Sequence, residues 1–230
     1  MDRFRIKGSS ALPQDATQMW FSSDLHLGHG NIIQYCQRVN PHKRGLVGPP
    51  EDRLFQSPDE MDRELIDTWN SWVGEEDLVF HLGDFTMKGI LAALDYLDKL
   101  NGRWVFLSGN HDYWMREMRS NKVVAHDATE KVLLIRDYLE LKVFDEEMGE
   151  GHWQKLVMFH YPIASWNSKF KGSWHLYGHE HGTRDPWTTT AMDVGVDTNE
   201  YKPYSYLDIK TAFTRQHIEV KDSSLLPREW

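Results

Sequence analysis

Five short apolar runs along this chain each end abruptly in polar residues that are able to bind a metal ion. The runs cover residues 19–22, 78–82, 104–107, 156–159 and 174–177. Runs this short and continuous are typical of strands that are buried on both faces. Helical patterns separate them, and strands that alternate with helices predict a layered α/β domain. Ligands of such domains gather at the carboxyl ends of strands, and the polar clusters fall there.

Local signals between the runs predict further elements. Ser57 begins a predicted helix and has Pro58 in its first turn. Residues 132–143 have a different pattern, because two apolar runs are split by Arg136 and Asp137. That pattern predicts a β-hairpin. The expected architecture is therefore a mixed sheet system with helices outside it.

The chain is long enough for one domain with a full hydrophobic core, at 230 residues. Residues 1–18 are polar and are interpreted as an N-terminal extension or a peripheral strand, and residues 19–230 as a single domain. Cys36 is the only cysteine, so an intrachain disulfide is excluded. No apolar stretch has the length of a signal peptide or of a membrane span, which makes a cytoplasmic protein the default expectation.

The charge balance restricts the class of partner. The formal net charge is −9. A protein that binds long nucleic acids usually carries a basic surface, because phosphate contacts supply most of its affinity. A long nucleic acid and a membrane are therefore not expected as partners. A small phosphorylated substrate, such as a nucleotide, stays compatible with this charge, since bound metal ions can invert the local sign.

The polar clusters form an ordered set: Asp-x-His, Gly-Asp, Gly-Asn-His-Asp, an isolated His, and Gly-His-x-His. They contain seven candidate metal ligands, which are Asp24, His26, Asp84, Asn110, His160, His179 and His181. Imidazole and carboxylate groups without a thiolate suit Mn, Fe, Zn, Ni or Co. Two divalent ions would outweigh the charge of the two carboxylates, even with a hydroxide bound. An anionic substrate is therefore expected, and phosphate is the obvious one.

This ordered set resembles the motifs of calcineurin-like metallophosphoesterases, and it spans most of the chain. Residues 20–33 and 61–85 resemble small bacterial and phage members more closely. The resemblance implies an α/β fold of two stacked mixed β-sheets flanked by helices, a four-layer sandwich. It also implies two divalent metal ions, with Mn as the expected ion and Fe, Zn, Ni or Co as alternatives.

The resemblance assigns a role to each motif residue. Asp84 would bridge the two ions. The first ion would be held by Asp24, His26 and His181, and the second by Asn110, His160 and His179. His111 would contact the phosphate and protonate the leaving oxygen as the general acid. Asp112 would orient His111, and a helix N-cap is an equally weighted alternative for Asp112.

Other residues near the motifs carry weaker signals. Buried, hydrogen-bonded side chains are predicted for His81 and His175, which lie inside apolar runs. For His29, contact with substrate phosphate and a structural loop role are weighted equally. The basic loop 40–45 is interpreted as solvated, with a phosphate contact as the alternative. Five aromatic residues surround the last two motifs, and core packing is expected for most of them, with base stacking as the alternative: Tyr161, Trp166, Phe170, Trp174 and Trp187.

The expected function is hydrolysis of a phosphoester by in-line attack of a hydroxide that bridges the ions. A phosphodiesterase acting on a nucleotide or another small phosphorylated substrate is the first hypothesis, and a phosphomonoesterase is the alternative. A DNA or RNA nuclease of the same superfamily is ranked lower, because the chain is acidic and shows no DNA-binding second domain. A non-catalytic binding module is disfavoured, because no motif residue departs from the family pattern.

Overall fold

All five apolar runs form strands, and these strands belong to two stacked sheets. The computed structural model describes residues 4–45, 47–120, 127–184 and 188–223. The strands of this part of the chain are β1 Phe4–Lys7, β2 Asp15–Ala16, β3 Met19–Ser22, β4 Leu78–His81, β5 Arg103–Leu107, β6 Val132–Arg136, β7 Tyr138–Phe144, β8 Trp153–Phe159, β9 Trp174–Tyr177, β10 Ala191–Asp193 and β11 Tyr204–Ser205.

One sheet has five strands in the order β11-β3-β4-β5-β6, and the other has six in the order β10-β9-β8-β7-β1-β2. In the first sheet β3, β4, β5 and β6 run parallel, and β11 pairs antiparallel with β3. In the second sheet β8, β9 and β10 run parallel, whereas β7, β1 and β2 add antiparallel pairs. Two stacked mixed sheets flanked by helices were predicted, and this prediction is confirmed. Strands β1 and β2 lie at one edge of the six-stranded sheet.

The helices between the strands pack on the outer face of the five-stranded sheet, whereas the helix after the last strand packs Ile209 and Phe213 into the cluster between the two sheets. The helices are α1 Gly30–Tyr35, α2 Pro58–Trp72, α3 Ile90–Lys99, α4 Tyr113–Arg119 and α5 Tyr206–Ser223. The predicted start of α2 is confirmed, because the Ser57 hydroxyl accepts a hydrogen bond from the Glu60 amide at 3.1 Å. This bond satisfies one of the amide groups that the first helical turn leaves free.

Alternate residues of the five-stranded sheet point into two different hydrophobic clusters. Phe21 and Phe80 stack at 5.1 Å in the cluster between the two sheets. Trp104 points to the opposite face, where it stacks on Trp69 of α2 at 4.9 Å. Because both faces are buried, the strands are apolar along their whole length and show no alternation. Polar chemistry is therefore confined to the strand ends.

The hairpin predicted for residues 132–143 is wrong. Strand β6 pairs in parallel with β5 in the five-stranded sheet, whereas β7 pairs with β8 and β1 in the six-stranded sheet. The polar break at Arg136 and Asp137 is the point where the chain crosses from one sheet to the other. A crossing and a hairpin both separate two apolar runs by a polar pair, so the local pattern does not distinguish them.

Within the described residues, no helix is both long enough and apolar enough to cross a membrane.

Candidate metal centre

The candidate ligands lie on the loops that follow β3, β4, β5, β8 and β9. The ligand atoms of Asp24, His26 and His181 all lie within 4.8 Å of one another and form the first group. A second group on the same criterion contains Asp84, His160 and His179. Residues more than 150 positions apart in the chain thus meet at one place, because their strands end side by side.

Asp84 lies between the two groups. Its Oδ2 atom is 3.6 Å from Nε2 of His26 in the first group and 3.5 Å from Nε2 of His160 in the second. Asn110 joins the second group, because its Oδ1 atom lies 3.1 Å from Nε2 of His160. The structure therefore brings all seven sequence-predicted ligands together at one place.

These spacings fit divalent ions. A nitrogen or oxygen ligand binds such an ion at roughly 2.0–2.2 Å, so two ligands of one ion lie about 3–4 Å apart. The Oδ1 atom of Asp24 is 4.0 Å from Nε2 of His26 and 4.0 Å from Nε2 of His181. Together with the 3.5 and 3.6 Å contacts of Asp84, these distances are those of ligands gathered around a cation.

Unpartnered polar atoms at the same place also indicate a cation. Asp24 Oδ1 and both ring nitrogens of His26 are buried without a hydrogen-bond partner in the described structure. Burying such groups unpaired is costly. Burial raises the pKa of Asp24 to about 7 and lowers the pKa of His26 to about 2. His26 is therefore a neutral imidazole with a free lone pair, which is the form that binds a metal.

Hydrogen bonds on the far side of two histidines fix which ring nitrogen faces the other ligands. Nδ1 of His160 lies 2.8 Å from the Leu82 carbonyl oxygen, and Nδ1 of His181 lies 2.6 Å from Oδ2 of Asp197. Since a carbonyl and a carboxylate only accept, each Nδ1 carries the proton. In the neutral ring each Nε2 then presents its lone pair to the other ligands. This arrangement is common for metal-binding histidines. In the metal-free protein, burial opposes protonation of His181, but the hydrogen bond and charge of Asp197 outweigh it and raise the pKa of His181 to about 10, so an ion that binds there displaces a proton.

Five of the seven candidate ligands have a backbone that non-glycine residues rarely adopt. The φ angles are +61° at Asp24, +50° at His26, +56° at Asp84, +74° at His179 and +48° at His181. A left-handed residue that is not glycine costs free energy, about 1 kcal/mol or more. Concentration of this strain on the candidate ligands is typical of a functional site, because the turns aim successive side chains at one point.

Backbone pairing holds the motif loops against each other. The amide of Asp24 donates to the Gly83 carbonyl at 2.9 Å, and the amide of His26 donates to the Asp84 carbonyl at 2.9 Å. Glycine at position 109 is required by this closeness, because a Cβ atom there would collide with the Asp84 carboxylate. The glycine of the Gly-Asn-His-Asp motif therefore serves packing as well as turn formation.

His111 lies beside both groups, and only its backbone contacts Asp84. Its amide donates to Asp84 Oδ1 at 2.9 Å, while its ring lies 5.5 Å from the ring of His26. The half-buried side chain of His111 is thus free to contact a substrate.

Asp112 occupies a different role from the orienting one expected for it. Its carboxylate accepts hydrogen bonds from the amides of Asp84 at 2.7 Å, Phe85 at 3.0 Å and Gly109 at 2.9 Å, and from the Trp114 indole at 3.1 Å. Among the described hydrogen bonds of Asp112, none goes to the His111 ring. Asp112 stands at the N-cap position of α4, but its side chain makes no cap bond. It fixes the loop that carries Asp84, because three amides converge on one buried carboxylate.

His175 and His81 were both predicted to be buried and hydrogen-bonded, and they differ in their hydrogen bonds. The prediction for His175 is confirmed, since its ring contacts the Val157 carbonyl at 3.1 Å and the Ile163 amide at 3.3 Å. His81 is buried as predicted, but neither of its ring nitrogens has a hydrogen-bond partner among the described residues. It packs among aromatic rings, and burial lowers its pKa to about 3, so it is neutral. His29 lies closer to the site, with its ring 6.4 Å from the His111 ring.

The basic loop and the aromatic residues take mostly structural positions. Lys43 pairs with Glu60 at 3.1 Å and Arg44 with Glu200 at 2.8 Å, so both cations have carboxylate partners. Of the five aromatic residues near the last two motifs, Trp166 and Trp174 are buried in the core, and Phe170 is exposed on the surface. Tyr161 lies at the candidate site, beside His179. Trp187 lies outside the described residues.

Arg38 and Asp197 support the ligands of the first group, and the sequence motifs predicted neither residue. Arg38 is 1% exposed and donates to both carboxylate oxygens of Asp197, at 2.9 and 3.0 Å. It also donates to the backbone carbonyls of Asp24 and Leu25. Asp197 in turn holds His181. One buried guanidinium therefore connects both ends of the first group. The Asp-Val-Gly-Val-Asp run at 193–197 follows strand β10, so the same rule of polar residues after a strand could have revealed Asp197.

We expect Arg38→Lys to weaken metal binding by the first group about 10–100-fold, the effect typical of losing a partner of a metal ligand. An ammonium cannot reproduce the planar fork that reaches Asp197 and two carbonyls at once. Isothermal titration of the metal-free protein with Mn should show one weakened site out of two. Arg44→Lys is the matched control, because Arg44 makes an exposed ion pair of little energetic consequence. Two unchanged affinities in Arg38→Lys would contradict this role.

The fold and the site together define an α/β sandwich of two sheets with two groups of candidate metal ligands at its strand ends. Comparison with known proteins agrees. The family model of the calcineurin-like phosphoesterases matches residues 17–183, so this chain belongs to that family. The family consists of metal-dependent phosphoester hydrolases and generally uses a dinuclear metal centre.

Proteins from several sources are similar to this chain in sequence or in fold. The chain is 28% identical over 196 residues to an uncharacterized protein of Methanocaldococcus jannaschii, a match that covers 82% of this chain and 86% of the relative. It is 36% identical over 99 residues to the gene 66 protein of Mycobacterium phage D29, covering 42% and 41%. A crystal structure of a protein of unknown function from Aquifex aeolicus is similar in fold, with a TM-score of 0.57 at 20% identity, covering 84% of this chain and 98% of that one.

Proposed function

We propose that this protein is a binuclear metal-dependent phosphodiesterase that acts on a nucleotide or another small phosphorylated substrate. The observation that carries the proposal is the position of Asp84 between two groups of candidate ligands. One ion would be held by Asp24, His26 and His181, the other by Asn110, His160 and His179, with Asp84 shared. Mn is the proposed ion.

Two bound divalent ions would neutralise phosphate charge and bring a water molecule close to deprotonation at neutral pH. The remaining work falls to the side chains of the chain. His111 stands at the rim of the ligand groups and is proposed to donate a ring proton to the departing oxygen as the P–O bond breaks. Asp112 keeps the Asp84 loop in place through three amides and thereby also fixes the backbone of His111.

A phosphodiester is favoured over a monoester because the site is open beside Asn110. The Tyr161 hydroxyl lies 3.5 Å from Asn110 Oδ1, and its ring lies 4.8 Å from the His179 ring. An aromatic side chain at this position provides a surface for a second ester substituent.

The test is a substrate panel with metal-stripped protein before and after addition of Mn. We expect kcat/KM to be higher on bis-p-nitrophenyl phosphate and cyclic nucleotides than on p-nitrophenyl phosphate and nucleoside monophosphates. Single-stranded DNA should be a poor substrate, since the chain is acidic. The metal-stripped protein is the negative control and should be inactive. Full activity without metal would refute the proposal, and a clear preference for monoesters would replace it with the phosphomonoesterase alternative.

A further inference from the structure

A groove begins at Asn110 and continues along helix α4. Its volume is about 500 Å³, within the range of roughly 300–1,000 Å³ that is usual for small-molecule sites. We call it the α4 groove, and its walls are Ser108, Gly109, Asn110, Asp112, Tyr113, Arg116, Arg119, Asp137, Phe159 and Tyr161. One end of the groove therefore coincides with a candidate ligand of the second ion.

Aromatic rings from two different segments line the α4 groove. Tyr113 on α4 is 58% exposed, and Tyr161 after β8 is 36% exposed. The ring of Phe159 lies 5.5 Å from the ring of Tyr161 and extends the aromatic surface. Exposed rings of this size present flat apolar faces to a ligand. They are suited to a planar group that enters the groove.

The charged residues of the groove leave one cation uncommitted. Arg119 is paired with Asp137 at 2.8 Å, and the buried carboxylate of Asp112 is occupied by its own hydrogen bonds. Arg116 makes no ion pair within 4.0 Å in the part of the chain that the structure describes, although its charge contributes, after the hydrogen bond from Arg119, to lowering the pKa of Asp137. Its guanidinium lies 5.6 Å from the centre of the Tyr113 ring, on the same helical face. The groove thus combines a flat aromatic surface with a free guanidinium.

We propose that the α4 groove binds the nucleoside side of a phosphodiester whose scissile phosphate lies at the Asn110 end. The base would stack on Tyr113, and Arg116 would pair with a further phosphate of the same ligand. Stacking accepts any base, while the planar guanidinium matches a phosphate in two-pronged geometry. This inference rests on the proposed function, and it specifies the substrate class as a nucleotide diester that carries a second phosphate.

Equilibrium binding to the Mn-loaded protein separates the two contacts. The probes are methyl phosphate, thymidine 5′-monophosphate and thymidine 3′,5′-bisphosphate, measured by isothermal titration. We expect the nucleoside to improve affinity over methyl phosphate about tenfold, and the second phosphate to improve it further. Tyr113→Leu should weaken the binding of thymidine 5′-monophosphate about fivefold or more and leave methyl phosphate unaffected, the loss typical of a missing stacking partner. Tyr113→Phe should retain the affinity for thymidine 5′-monophosphate.

Arg116→Ala should instead abolish the difference in affinity between thymidine 3′,5′-bisphosphate and thymidine 5′-monophosphate. Tyr35→Leu and Arg63→Ala are the matched controls, because both residues are exposed on other helices outside the groove. They should bind all three probes as the unaltered protein does. Equal affinity of the unaltered protein for methyl phosphate and both nucleotides would overturn the inference, as would identical probe profiles in Tyr113→Leu and Arg116→Ala.

Failure of this inference differs from failure of the proposed function. Turnover of bis-p-nitrophenyl phosphate without any nucleoside contribution to binding would reject the groove and leave the hydrolase intact. Nucleoside-dependent binding without turnover of any diester would support the groove and reject the phosphodiesterase proposal.

Discussion

Replacing Asp84 by Asn should remove both ions and lower kcat/KM by about 10³-fold or more, the equivalent of the several kcal/mol that bound metal ions contribute to such reactions. Asp84 Oδ2 lies within 3.6 Å of His26 and 3.5 Å of His160, so one oxygen serves both groups. Asparagine removes the negative charge that both ions share. It could keep the hydrogen bond from the His111 amide only by turning its NH₂ group toward the ions.

Metal content measured by elemental analysis, together with kcat/KM, tests this expectation. The control is Asp145→Asn, which also alters a buried carboxylate, but one that bonds to Tyr206 and Lys210 away from the site. That variant should lose stability and keep both ions when folded. Loss of one ion from Asp84→Asn with the other unaffected would contradict the bridging position.

Replacing His111 by Gln should lower kcat about 10²–10⁴-fold while both ions stay bound, because a positioned general acid is worth about that much. Two structural facts make this variant informative. His111 is outside both ligand groups, and its contact with Asp84 comes from the backbone amide, which Gln retains at the same position. The substitution should therefore remove the proton donor and leave the shared carboxylate undisturbed.

The loss should depend on the leaving group. A ribose oxygen leaves as an alkoxide that needs a proton, whereas p-nitrophenolate is a stable anion. The His111→Gln variant should accordingly lose more activity on a nucleotide diester than on a p-nitrophenyl ester. Equal losses on both would mean that His111 mainly steadies the phosphate, and loss of metal would mean a structural role.

His29→Gln is the matched comparison for His111→Gln. The His29 ring lies 6.4 Å from the His111 ring and has a buried Nδ1 atom without a described partner. A smaller effect of His29→Gln, without dependence on the leaving group, would agree with His111 as the acid. A larger leaving-group effect in His29→Gln would transfer the role to His29.

Much of the fold could be predicted because the strands are buried on both faces. Such strands are continuous apolar runs, and α2 carries its own start signal at Ser57. The pairing of β6 and β7 could not be predicted in this way. Neither segment contains local information on which sheet it joins. The choice depends on the free edges of β5 and β8, and these exist only once each sheet has formed.

The candidate site also has features that the sequence predicts and features that it does not. The sequence by itself determined the identity of the seven candidate ligands, because metal-binding residues must follow the strands and their chemical types can be read directly. It also placed Gly109 next to the ligands. Membership of the phosphoesterase family follows from the same motifs, since their order along the chain reflects the order of the strands.

Only the tertiary structure decided how those residues are held. It placed Asp84 between the two groups, turned Asp112 toward the Asp84 loop, and brought Arg38 to Asp197 across 159 positions of the chain. It also imposed the left-handed backbone on ligands such as Asp24 and His181. The physical reason is that these contacts join distant segments and are stabilised by burial. A short stretch of sequence carries the donor or the acceptor, and the fold alone determines which partner it meets.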